Sequence, residues 1–149
     1  MKNVILINGR NVEDFLAHTL EMTAANTIKR NCSISQIIEI LTTSKYRKNL
    51  KWLTAKVLIE YVIRNGSYDE KHSLFVHAYF EKMTEKEQVF TIRALIENIN
   101  NTNGLIFKRF IGYLNDKYDD LDAKLKRLKL NEKEISYING FRVAIKLSN

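Results

Sequence analysis

Lys48-Asn49-Leu50-Lys51-Trp52-Leu53-Thr54-Ala55-Lys56-Val57-Leu58-Ile59-Glu60-Tyr61-Val62-Ile63-Arg64-Asn65-Gly66 is the stretch that decides how this sequence folds. Leu50, Leu53, Val57, Leu58, Tyr61 and Val62 recur at helical spacing, and Trp52, Ile59 and Ile63 form a second stripe beside them. A surface helix carries one apolar stripe, so two stripes predict a central helix buried on two sides. Gly66 supplies its stop, because glycine enters the left-handed region without a Cβ clash. Ser67-x-x-Glu70 then reads as a capping box that starts the next helix.

Working towards the N-terminus, Ser33-x-x-Gln36 is another capping box, followed by Ile34, Ile37, Ile38 and Leu41 on one face. Val12, Phe15, Leu16, Leu20, Ala24 and Ile28 predict one helix, with Asn11 as N-cap and Asp14 in the first turn. Residues 4–7 are rich in β-branched side chains and end at Asn8-Gly9, so they read as a short strand or arm. A lone strand needs a partner, and a second copy of the chain is one expectation.

Towards the C-terminus, Leu74, Phe75, Ala78, Tyr79 and Met83 are expected to face inward. Thr84-x-x-Glu87 precedes Val89, Ile92, Ile96 and Ile99, and the Asn-rich run 98–103 with Gly104 reads as a loop. Asn131-x-x-Glu134 opens a last helix with Ile135, Ile138, Phe141 and Ile145 inward. Between them, Phe107, Ile111, Leu114, Tyr118, Leu121, Leu125 and Leu128 alternate spacings of four and three, the seam of a heptad repeat. The seam is read either as an ordinary amphipathic helix packed within the domain or as a surface for a partner helix or second copy. The sum is an all-α, single-domain bundle of six or seven helices over 1–149, with residues 1–10 as a short strand or arm.

Composition agrees. The 149 residues include no proline and five glycines, where average usage would give roughly seven prolines. That disfavours proline-rich linkers and loop-heavy β architectures. One cysteine cannot form an intramolecular disulfide, which fits a reducing, intracellular compartment and a cytoplasmic protein. No apolar run approaches the roughly 20 residues of a membrane span, and the N-terminal apolar run is shorter than the roughly 7–15 residues of a signal peptide core.

Lysine and arginine number 24 against 17 acids, a net charge of +7. Such an excess points to an anionic partner, most often nucleic acid and less often a membrane surface or an acidic protein surface. Most of it lies between residues 29 and 56, where Lys29, Arg30, Lys45, Arg47, Lys48, Lys51 and Lys56 face only Glu39. The densest part, Lys45-Tyr46-Arg47-Lys48-Asn49-Leu50-Lys51-Trp52, falls at the start of the central helix, where free backbone N–H groups favour phosphate oxygens. Its bases would neutralise phosphates, and an exposed Tyr46 would stack on a nucleobase. The competing reading is a solvated lysine-rich surface with Trp52 in the core. Residues 33–64 have the order of a helix-turn-helix, but the two-striped second helix leaves few positions to read base edges. A second basic run, with Lys124, Lys126, Arg127, Lys129 and Lys133, reads as the solvent face of the heptad helix.

Catalytic chemistry finds little support, and no cofactor or metal site is expected. His18, His72 and His77 make no i, i+4 pair, and His77 with Glu81 is a poor zinc site. Cys32 reads as a small buried residue rather than a nucleophile. Asp116, Asp119, Asp120 and Asp122 form an acidic cluster, and Tyr118 and Leu121 interleave it as on a solvated helix face. Arg64-Asn65 followed by His72 resembles the motif of the higher eukaryotic and prokaryotic nucleotide-binding (HEPN) ribonucleases. That resemblance implies arginine stabilising phosphate charge while histidine moves the 2′-hydroxyl proton. The gap is one residue longer than the family's, and Gly66 interrupts the helix. The ten residues from Leu58 to Ser67 also resemble a buried helix of the ENTH and VHS superhelical domains, which bind phosphoinositides or cargo peptides; no lipid-site motif accompanies them.

The expectation is a non-enzymatic protein that binds nucleic acid or a nucleoprotein complex. Its asparagine-, lysine- and isoleucine-rich composition is that of AT-rich genomes, hence of a phage or mobile-element regulator. The alternatives are a protein–protein inhibitor or adaptor acting through the 107–128 seam, and a HEPN-like ribonuclease.

Overall fold

A computed structural model describes residues 5–65, 80–97 and 105–148, with side chains to 143 and excluding those of 105 and 106. The helix expected after Ser67 with Leu74, Phe75, Ala78 and Tyr79, both His72 and His77, Ile99, the 98–104 loop and the Ile145 side chain lie outside them. The described residues are mostly helical, and their one sheet is a two-stranded hairpin. The chain divides into two compact units, Met1–Ser67 and Tyr68–Asn149.

The first unit opens with β1 (Leu6–Ile7) and β2 (Arg10–Asn11), paired antiparallel with Ile7 opposite Arg10. Asn8 and Gly9 between them have φ of 53° and 79°, a type I′ turn, the tight connection whose twist suits a hairpin. The lone strand thus finds its partner five residues on in its own chain, not in a second copy. Ile5 and Ile7 are buried, while Leu6 is exposed.

Asn11 also caps α1 (Val12–Ala17) by accepting from the Asp14 N–H at 2.9 Å. The single helix expected through Ile28 is broken after α1 and resumes as α2 (Glu21–Asn31). His18 Nδ1 sits 2.9 Å from the Asp14 carbonyl, the acceptor a continuing helix would use, and the His18 N–H turns to Phe15 instead. This side-chain competition ends the helix.

At Ser33 the capping box is reciprocal and starts α3 (Ile34–Thr42). A four-residue helix, α4 (Ser44–Arg47), follows, and α5 (Trp52–Asn65) begins four residues later than the apolar pattern suggests. α5 packs against both α2 and α3, as expected of a central helix. Its buried residues run in pairs, Thr54-Ala55, Leu58-Ile59 and Val62-Ile63, whereas Leu53, Val57 and Tyr61 are only half-buried. The two expected stripes therefore merge into one broad face. Fully burying each of its large aliphatic side chains contributes about 1.5–3 kcal/mol.

The second unit contains α6 (Glu85–Glu97), α7 (Leu105–Lys117), α8 (Leu121–Arg127) and α9 (Glu132–Ser148). Thr84 and Glu87 cap α6 reciprocally at 3.2 and 3.0 Å. Phe80 and Phe110 are both fully buried and meet edge to face, with ring centroids 5.1 Å apart. The expected helix over 107–128 is two helices. Asp120 accepts from the Ala123 N–H at 3.0 Å and becomes the N-cap of α8, which redirects the chain after Lys117. With α4 and the two breaks, the described residues hold nine helices rather than six or seven.

Asn131 and Glu134 form a third reciprocal box, at 3.0 and 2.8 Å. Glu134 also accepts from Arg93 Nε at 2.8 Å and Nη2 at 3.4 Å, joining α9 to α6. Burial alone would raise the Glu134 pKa, but Arg93 and the Asn131 amide outweigh it and hold the carboxyl below its ordinary value. A depressed carboxyl stabilises the fold above its unfolded pKa of about 4.3, and that stabilisation is lost as pH falls through the folded value. Glu134→Gln should therefore cost about 1–2 kcal/mol at neutral pH, limited by the half-exposed arginine. Urea titrations should find the gap to wild type closing below pH ~4, where the wild type loses the same charge. A gap that widens on acidification would contradict the assignment.

Candidate functional site

The basic residues at 45–51 are placed by two short-range devices. Thr43 closes α3 through its N–H to Glu39, and its carbonyl accepts from Tyr46 and Arg47 to start α4. Asn49 and Leu50 then donate to Tyr46 and Arg47, and the Lys51 carbonyl takes the Ala55 N–H to open α5. This turn holds Lys45, Lys48 and Lys51 in solvent, with Arg47 half-buried. Lys45 makes one long ion pair to Glu13 at 3.8 Å.

Two sequence expectations need correction. Tyr46 is only 4% exposed, so it is a core residue and has no free face for a nucleobase. The Lys45 ammonium lies over its ring at 5.2 Å. In addition, the start of α5 is already supplied with an anion. Glu21 accepts from the Leu53 N–H through Oε2 at 3.3 Å, and its carbonyl accepts from Thr54 Oγ1 at 3.0 Å. Thirty-two residues separate Glu21 from Leu53, and no local signal announces this cap. Charge in this region is therefore presented by side chains, not by open backbone amides.

Lys29 lies elsewhere than its neighbours in charge suggest. Glu21 meets α5 at Leu53 and Thr54, while Lys29 Nζ stands 5.8 Å from the Tyr61 ring centroid. α2 and α5 thus run side by side in the same direction, and Lys29 sits about 12 Å further along than Glu21 at 1.5 Å per residue. Lys29 joins Arg64 rather than the turn at 48–51. With Val57, Glu60, Tyr61 and Asn65 they line a groove of about 220 Å³. Arg64 pairs with Glu60 at 3.6 Å, and Asn65 Nδ2 donates to the Tyr61 carbonyl at 3.0 Å. Arg30 is exposed nearby in sequence, and Lys56 is half-buried on α5. The outward pairs Lys56-Val57, Glu60-Tyr61 and Arg64-Asn65 alternate with the buried pairs, a signal present in the sequence. Their meeting with Lys29 depends on the register of α2 against α5, which no short window contains.

The seam residues Ile111, Leu114, Leu121, Leu125 and Leu128 are buried, as is Phe107. Tyr118 is half-buried. Its hydroxyl donates to Glu81 Oε1 at 3.0 Å, and Tyr113 donates to the same oxygen at 3.2 Å. Burial, the Glu81 bond and the Glu81 charge together push the Tyr118 phenol up to about 12.

No family model, curated protein or solved structure matches the chain.

Function must therefore be argued from the groups themselves. Cys32 is half-buried at the end of α2, and burial raises its thiol pKa, away from nucleophilic thiolate character. Asp120 is spent on its cap, and Asp122 pairs with Arg142 at 3.0 Å. Among the described residues no three histidine, cysteine or acidic side chains gather as metal ligands. Arg64 and Asn65 of the ribonuclease-like pattern stand at the groove, and His72 is outside the described residues. Of the second basic run, Lys126, Arg127, Lys129 and Lys133 are exposed and Lys124 covers the Tyr118 ring at 5.5 Å. No described helix is long and apolar enough to cross a membrane.

Proposed function

We propose that this protein binds nucleic acid, without reacting with it, through the basic turn at residues 45–51. The observation that carries the reading is the pair Lys48 and Lys51. Both are exposed, and neither ammonium has a hydrogen bond or ion pair among the described residues. Such lysines, held by a short turn, can neutralise phosphates and so release the counterions condensed on a nucleic-acid backbone. Lys45 adds a third charge, since an exposed pair as long as its contact with Glu13 contributes little and exchanges readily. With Tyr46 in the core, recognition rests on phosphates and not on base stacking. Binding is accordingly weakly dependent on sequence and strongly dependent on salt.

A duplex oligonucleotide titrated at several salt concentrations tests this directly. Each phosphate neutralised contributes about 0.9 to the slope of log affinity against log salt. Lys48→Glu with Lys51→Glu should lower that slope by about 1.8 and weaken binding at least tenfold. The helical signal should be unchanged, because both side chains are in solvent. An unaltered slope in the folded double variant sinks the proposal.

A further inference from the structure

We infer that the protein has a second phosphate-contacting surface, in its second unit, where α8 turns into α9 and presents Lys126, Arg127, Lys129 and Lys133 to a nucleic-acid backbone. All four side chains are exposed, and none has a hydrogen bond or ion pair among the described residues. Over 126–133 they are set against one acid, Glu132. The neighbouring acids are engaged elsewhere: Asp122 pairs with Arg142, and Glu134 pairs with Arg93. The helix macrodipole accounts for Lys126 and Arg127, which lie in the last turn of α8. It does not account for the other two. Lys133 sits in the first turn of α9, where a cation opposes the dipole. Lys129 has a φ of 60°, in the left-handed region where glycine is the unstrained choice. Both lysines stand where the fold alone favours another residue, and charge is what they supply.

The chemistry of the surface selects the partner. Leu128 and Leu130, which interleave the cations, are buried, so the exposed part of this turn carries charge and no apolar anchor. Protein interfaces draw most of their affinity from a few well-packed anchors, and a helix lying on a membrane inserts an apolar face. A phosphate backbone needs only cations, each of which releases counterions. The turn is held by the Lys129 N–H donating to the Lys126 carbonyl at 3.0 Å and by the capping box of Asn131 and Glu134. The inference takes its ligand class from the nucleic-acid reading above but not its residues, which lie in the other unit. Each unit thus presents a basic turn of its own.

A duplex oligonucleotide titrated at several salt concentrations reads this surface. Lys129→Gly and Lys133→Gln should each lower the slope of log affinity against log salt by about 0.9, and together by about 1.8. Lys129→Arg, which keeps the charge, should keep the wild-type slope. Urea unfolding supplies a readout that a merely structural lysine would move the other way. Lys129→Gly takes the Cβ off a left-handed residue, so its midpoint should rise while its binding weakens. A midpoint that falls, or a slope that stays at its wild-type value in either variant, overturns the inference. Combined with Lys48→Glu and Lys51→Glu, the losses of slope should add. If that pair alone leaves the slope unchanged while Lys129→Gly and Lys133→Gln lower it, the turn at 45–51 is excluded and this surface stands; the converse overturns this surface alone. Poly-glutamate is the competing probe. If it binds and no oligonucleotide does, with the binding lost in the same two variants, the turn serves an acidic protein and the inference fails.

Discussion

Leu121→Asp is expected to unfold the second unit outright. Leu121 is 1% exposed and begins α8 directly behind the Asp120 cap. Removing a buried leucine side chain costs about 3–5 kcal/mol through lost transfer energy and the cavity left behind. A carboxylate at the same position adds several more, or takes up a proton to avoid ionising. A loss of about 5 kcal/mol or more matches the whole stability of many domains, which is about 5–15 kcal/mol. If the heptad seam served a partner or second copy, the same change would release that partner and leave a folded chain. Urea unfolding followed by circular dichroism separates the two outcomes. The internal seam requires loss of helical signal, with a wild-type midpoint that does not move when protein concentration is raised tenfold. A Leu121→Asp variant that keeps the wild-type midpoint would return the seam to the surface. Lys126→Asp, on the exposed side of the same helix, should change stability by no more than about 0.5 kcal/mol.

What was legible in the sequence depended on how far apart the interacting groups lie. Ser33 with Gln36, Thr84 with Glu87 and Asn131 with Glu134 all close within three residues, and each reciprocal box is where its spacing puts it. The central helix follows from its apolar density alone. Asn8-Gly9 was equally local, yet a strand of two residues is readable only together with its return strand. The helix breaks were harder because apolar periodicity runs straight through them. Leu114, Leu121 and Leu125 keep heptad phase across the interruption at Asp120, and all three are buried. Only side-chain competition for backbone groups, by Asp120 and by His18, marks where the helix stops.

Sites were less legible than elements for the same reason. Charge density along the sequence groups Lys45, Lys48 and Lys51, and the three are exposed close together along the chain. It groups Lys29 with them, whereas parallel packing of α2 and α5 sets Lys29 beside Tyr61 and Arg64. It also offers the amides at the start of α5 as an anion site, although Glu21 reaches Leu53 from 32 residues away. A linear patch of charge thus becomes two separate sets of cations on the fold.

Tyr46 is the residue on which the two accounts of the patch differ most. A tyrosine between Lys45 and Arg47 reads as a stacking platform, and truncating such a platform costs binding, about 1–3 kcal/mol per base, while sparing the fold. The structure instead places the ring in the core, 4% exposed, on the short helix α4, whose Tyr46 and Arg47 N–H groups donate to the Thr43 carbonyl. Tyr46→Ala should therefore destabilise the first unit by about 3–5 kcal/mol, the range for deleting a buried aromatic side chain. Affinity for an oligonucleotide should fall only as far as the folded fraction falls. Stability and binding measured on the same preparation at low temperature, where the variant remains partly folded, distinguish the cases. If binding per folded molecule drops at least fivefold, the ring reaches the ligand and the core assignment fails. If it is unchanged while the urea midpoint drops, Tyr46 acts through the fold: it sets the turn that holds Lys45, Lys48 and Lys51 in solvent, and the lysines alone meet the phosphates.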